Sequence, residues 1–164
     1  MKKAFTSTLV EVLPCSLSKT QEKIMIFLEH INLVVSDIPR ALTFYKAAFP
    51  HWRVRVEGEG AWHNKQRRWI HFGDNYQYLA FGDNGIGNNR DLAGHDSGLA
   101  HFAFACSNLD SLIERLGEAG FSINKPGTDD PWRRNVYFMD PDGNEVEFVE
   151  YLSDLPEQRN FSSQ

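Results

Sequence analysis

The sequence predicts an α+β fold built from two copies of one β-α-β-β-β module, and three observations carry that expectation. The stretch Leu28-Glu29-His30-Ile31-Asn32-Leu33-Val34-Val35-Ser36-Asp37-Ile38 returns 71 residues later as Leu99-Ala100-His101-Phe102-Ala103-Phe104-Ala105-Cys106-Ser107-Asn108-Leu109. Each copy reads as a strand running into a helix start, with a histidine early in the strand. Each helix is then followed by three shorter strand-like segments.

In the first copy Glu29 to Val35 is rich in β-branched residues and reads as a strand. Ser36-Asp37 supplies an N-cap candidate, and Pro39 suits the first helical turn. Ala41, Phe44, Tyr45 and Ala48 keep helical spacing on one face, which Leu42 and Phe49 widen. Pro50 closes the helix. In the second copy Ser107-Asn108 caps, Leu109, Leu112, Ile113, Leu116 and Ala119 form the apolar stripe, and Gly120 is the stop. The later strands are read at Arg53–Val56, Trp69–Phe72 and Tyr76–Phe81, then at Phe121–Ile123, Asn135–Met139 and Glu145–Tyr151. Gly73-Asp74-Asn75 and Asp140-Pro141-Asp142-Gly143 are turn signals. The stretch from 57 to 68 reads as a long loop, a type that often covers sites.

The modules then occupy about 24–82 and 98–152, joined by a polar, glycine-rich linker at 83–97. Residues 1–23 read as an N-terminal extension and 153–164 as a tail. Met25 directly precedes the first repeat strand and is a candidate start. A chain of 164 residues suits one domain that buries roughly 70% of its unfolded surface without disulfide staples. The net charge of −5 argues against a nucleic-acid partner, which selects a basic face. No apolar run approaches the ~20 residues of a membrane span, and no signal-peptide pattern is complete, so a cytoplasmic location is expected. Two cysteines make no disulfide framework, and Cys106 in an apolar strand reads as a buried free thiol.

Alternation decides which side chains share a face. His30, Asn32 and Val34 lie together, as do His101, Ala103 and Ala105. If helices cover the Val146/Phe148 side of the last strand, Glu147 faces the open side with both histidines. Two imidazoles and a carboxylate on one side of an ion form a facial triad with positions left for substrate. The neighbouring Glu145 reads as a solvated edge charge. His51, His63 and His95 read as surface residues.

The repeated modules, the paired histidines and the run Tyr137-Phe138-Met139-Asp140-Pro141-Asp142-Gly143-Asn144-Glu145-Val146-Glu147-Phe148 resemble the vicinal oxygen chelate superfamily. That superfamily includes glyoxalase I, fosfomycin-resistance thiol transferases, extradiol dioxygenases and bleomycin-resistance proteins. The resemblance covers about residues 25–152. It implies strands curled into a cup around one divalent metal ion, Fe(II), Mn(II), Zn(II) or Ni(II), with His30, His101 and Glu147 as ligands. It also implies a homodimer and a small-molecule substrate, and leaves open whether modules pair within a chain or across the dimer.

One departure narrows the resemblance. Glyoxalase I adds a glutamate from the last strand of its first half, where this chain offers Ala80 or Tyr78. A standard glyoxalase I site is therefore disfavoured against a three-ligand site. Thiol transferases and dioxygenases also carry a tyrosine ten residues before the metal glutamate, as Tyr137 stands here. Proton handling is expected from Tyr137 and Asn32. Trp132, Arg133, Tyr78 and His71 are the candidate substrate contacts. The expected function is a metalloenzyme acting on a small oxygenated molecule by lyase or isomerase, thiol-transfer or dioxygenase chemistry. The alternative is a metal-independent protein that binds a drug or metabolite, as bleomycin-resistance relatives do.

Overall fold

Alternating burial sets the first strand: Leu33 and Val35 are buried while His30, Asn32 and Val34 are exposed. The chain, seen in a computed structural model, is described over residues 26–128 and 130–160. The expected extension at 1–23 and the candidate start Met25 lie outside the described residues. The elements run β1 (His30–Val34), α1 (Ile38–Ala48), β2 (Arg53–Trp62), β3 (Lys65–Gly73), β4 (Tyr78–Gly82), β5 (Phe102–Cys106), α2 (Leu109–Glu118), β6 (Ile123–Pro126), β7 (Arg133–Met139), β8 (Glu145–Tyr151) and a short α3 (Pro156–Arg159). The expected β-α-β-β-β order thus occurs twice.

Each module folds into its own four-stranded sheet, in the order β1-β4-β3-β2 and β5-β8-β7-β6. The first and last strands of each module pair in parallel, β1 with β4 and β5 with β8. Both helices begin at the expected polar caps. The Asp37 side chain accepts from the Arg40 backbone N–H at 2.7 Å, and that of Asn108 from Ser111 at 2.9 Å. Each cap satisfies a backbone donor that the first turn cannot.

The stretch 57–68, expected as a loop, is instead the outer part of a long hairpin. β2 and β3 stay paired from Arg53↔Gly73 to Trp62↔Lys65. The turn His63-Asn64 has φ of 48° and 62°, the left-handed pair that tight hairpins demand. Gly58 is required here, because a Cβ would stand 2.7 Å from the Trp69 indole that lies across it. A glycine that reads as a loop residue is thus the seat for a large ring.

The core is a shared aromatic layer. Phe44 of α1 packs edge-on to Phe121, between α2 and β6, at 5.0 Å between ring centres and to Phe138 of β7 on the second sheet at 6.4 Å. Its neighbour Tyr45 meets Phe81 of the first sheet at 5.0 Å. Helix α1 is therefore inserted between the apolar faces of both sheets. This explains why its apolar stripe is wider than one sheet needs.

A polar latch accompanies the aromatic one. The buried Tyr45 hydroxyl donates to Asp140 Oδ2 at 2.8 Å. The same carboxylate accepts from the backbone N–H groups of Asp142 and Asn144 and from the Asn144 amide. Burial raises the Asp140 pKa, and these donors work against that rise. Tyr45→Phe is expected to cost about 1–3 kcal/mol in urea denaturation, the usual cost of leaving a buried acceptor short of a partner. An unchanged midpoint would show that the latch contributes nothing.

Candidate metal centre

The apolar faces of both sheets are taken by the helices, so the histidine-bearing faces are turned away from the helical layer. On the second sheet, β5, β8 and β7 lie side by side with Ala103 opposite Glu147 and Glu147 opposite Tyr137. Small Ala103 and Ala105 leave this face open beside the carboxylate. His101, one residue before β5, brings Nε2 within 3.3 Å of Glu147 Oε2. Its ring stands edge-on to Tyr137 with centres 5.5 Å apart. The structure therefore brings His101, Glu147 and Tyr137 together.

His30 stands in another neighbourhood, on the open face of the first sheet. Its Nδ1 is 2.9 Å from Glu29 Oε2, and its ring stacks on Tyr78 at 4.6 Å. His71 stacks on Tyr78 at 4.4 Å. His71 lies opposite Ala80, which lies opposite Asn32, so both candidates share the His30 face. Burial, and next the nearby His30, lower the His71 pKa. Among the described residues no three His, Cys, Asp or Glu side chains are grouped closely enough to hold one ion. Within one chain the expected triad is thus present as a pair plus a separate third member.

Five further residues complete the two faces. Asn135, only 7% exposed, donates from Nδ2 to Glu147 Oε1 at 2.5 Å. Glu145 is not the solvated edge charge expected: it is 6% exposed, held by Lys125 Nζ at 2.8 Å and by Asn124 Nδ2 at 3.1 Å. A register irregularity between Ile123 and Lys125 lets consecutive residues reach one carboxylate. A similar one between Val54 and Val56 accompanies Arg55, whose guanidinium lies 4.9 Å from the Tyr78 ring centre. Alternation makes Asn135 readable from sequence as a neighbour of Tyr137. Bulges leave no such signal, which is why Arg55, Asn124 and Lys125 were not legible.

Burial, and next the Glu147 charge, raise the Tyr137 pKa above the ordinary phenol value. Tyr137 therefore stays protonated at neutral pH and is available as a donor. Arg133 shares the β7 face with Asn135 and Tyr137, and its Nε lies 3.2 Å from Asp130 Oδ2. Trp132 is half-buried, with its backbone N–H donating to Asp130 and its carbonyl accepting from Leu152. His51, His63 and His95 are exposed, as expected.

His101 and Glu147 are a donor pair of the kind that suits a divalent ion. With bonds of about 2.0–2.2 Å, two ligands on one ion stand roughly 3.0–3.5 Å apart, and the His101–Glu147 contact at 3.3 Å falls in that range. Imidazole and carboxylate are suited to Mn(II), Fe(II), Zn(II) and Ni(II) alike.

A family model described as the glyoxalase/bleomycin resistance protein/dioxygenase superfamily matches residues 27–148. The chain belongs to this superfamily. Solved structures agree on the fold. A glyoxalase/bleomycin resistance protein/dioxygenase domain from Frankia sp. EAN1pec is 21% identical, with 84% of this chain and all of that one covered at a TM-score of 0.64. A glyoxalase family protein from Enterococcus faecalis is 23% identical over 76% of this chain and 97% of its own, at 0.61. A mutant of the fosfomycin resistance protein FosX from Listeria monocytogenes, complexed with Mn(II) and 1S,2S-dihydroxypropylphosphonic acid, is 20% identical. The match covers 83% of this chain and 98% of that one, at 0.61. The two open sheets and their helices match the glyoxalase/dioxygenase type of superfamily fold, and no helix among the described residues is long and apolar enough to cross a membrane.

Proposed function

We propose that this superfamily member is a divalent-metal-dependent enzyme acting on a small oxygenated substrate, with His101 and Glu147 of one copy joined by His30 of a second copy. The observation that carries this reading is the separation of the ligand set. His101 and Glu147 meet on the open face of the second sheet, while His30 stands on the open face of the first and forms no three-member cluster with them among the described residues. A homodimer that sets these faces against each other completes two identical sites. The FosX complex with Mn(II) supports a divalent ion as the bound group.

A divalent ion held there supplies Lewis-acid stabilisation to an anion formed on neighbouring substrate oxygens. The chain's own groups do the rest. Tyr137, kept protonated, donates a hydrogen bond or a proton to that anion. Asn32, on the His30 face, offers an amide for orientation. Tyr78, His71, Trp132 and Arg133 contact the substrate, with stacking surface on one side and a cation on the other.

Metal content and thermal shift test this reading. Protein purified without added metal is expected to retain a stoichiometric ion or to take one up from Mn(II), Fe(II), Zn(II) or Ni(II). At about 100 times its Kd, the ion stabilises the fold by about 2.7 kcal/mol. Substoichiometric metal with no shift from any of the four overturns the enzyme reading and favours metal-independent binding of a drug or metabolite. Methylglyoxal–thiol adducts, catechols and fosfomycin, each with every metal, form the first substrate panel. Tyr137→Phe is expected to slow the reaction by about 10²–10⁴-fold with metal uptake unchanged. An unchanged rate would remove Tyr137 from the chemistry.

A further inference from the structure

Resting on that metal reading, we infer that Asn135 is a positioning residue that orients the Glu147 carboxylate toward His101. Asn135 lies opposite Val149 on β7, two residues along from the Tyr137↔Glu147 pair, so it reaches the carboxylate diagonally. Its Nδ2 donates to Oε1 at 2.5 Å and also lies 3.3 Å from the Tyr137 hydroxyl. With Oε1 held, Oε2 is the oxygen presented to His101 at 3.3 Å.

The amide has only one acceptable orientation. Reversed, it would set Oδ1 against a carboxylate oxygen. In the orientation present, Oδ1 is buried without a hydrogen-bond partner. Burying that oxygen unpaired is costly, and the donor bond to Glu147 is the gain that offsets it. The surroundings are shaped to the amide as well. A Cβ at Gly127 would stand 1.9 Å from Asn135 Oδ1 and 2.2 Å from the Asn135 backbone carbonyl oxygen, so only glycine fits against this residue. A buried amide with an unsatisfied oxygen is a poor space-filler, and an apolar side chain would serve packing better.

Mn(II) titration followed by paramagnetic resonance, alongside the thermal midpoint of the metal-free protein, tests the role. Asn135→Ala is expected to weaken Mn(II) binding by about 10–100-fold, the usual effect of removing a group that orients a ligand. Asn135→Leu restores the volume without the donor, and the same loss is expected from it even if the alanine variant folds poorly. Folded Asn135 variants that bind Mn(II) as tightly as wild type, with only the midpoint changed, would reduce Asn135 to packing and overturn the inference. Wild-type protein that takes up no Mn(II) overturns the metal reading itself, and the positioning role with it.

Discussion

His30→Ala and Glu147→Ala proteins, each expected to lose tight Mn(II) binding when made alone, are expected to regain it when co-expressed. Each substitution removes one of three protein ligands, so each loss should exceed the roughly 10–100-fold effect of losing a merely orienting group. In a mixed dimer the two defects fall in the same site. The other site then has His30 from the Glu147→Ala copy, and His101 with Glu147 from the His30→Ala copy. With random assortment, about a quarter of wild-type capacity returns, because half the dimers are mixed and each has one whole site. Mn(II) bound per chain is the measurement. Co-expressed protein that binds no more than either variant alone would show that the ligands do not assemble across two copies.

Phe44→Ala is expected to be the most damaging core change, at about 3–5 kcal/mol. The ring is fully buried and touches aromatic partners on both sides of its own helix turn: Tyr45 beside it, and Phe121, Phe138 and Phe148 of the second module. Neighbouring rings at fixed angles cannot collapse into the vacated space, so the cavity persists. For a chain of this length the thermal midpoint should fall on the order of 10 °C. Circular dichroism through the transition checks this. A loss of about 1 kcal/mol or less would mean that α1 does not hold the second sheet in place.

What is legible in the sequence is what one module determines by itself. The strand faces of His30 and Glu147, the caps Asp37 and Asn108, and the helix stripes all follow from short-range periodicity. The outer hairpin is not legible, because Gly58 and Gly60 look like loop residues until Trp69 is seen lying across the first of them. The separation of His30 from His101 escapes for a different reason. It depends on how two modules pack around α1, and the extra apolar width supplied by Leu42 and Phe49 is the one trace of that packing in the sequence. The burial of Glu145 is hidden because nothing in its own strand reveals that Asn124 and Lys125 reach it from β6.

Both candidate faces point away from the helical layer, and under the proposed dimer this placement would make metal retention a matter of mass action. An ion held within one chain leaves at a rate set by that chain alone. An ion bridging two chains stabilises their association and is stabilised by it, so dilution loosens both together. Lowering the protein concentration should therefore release metal at constant free-metal activity. An affinity for the ion then has meaning only at a stated concentration of the chain.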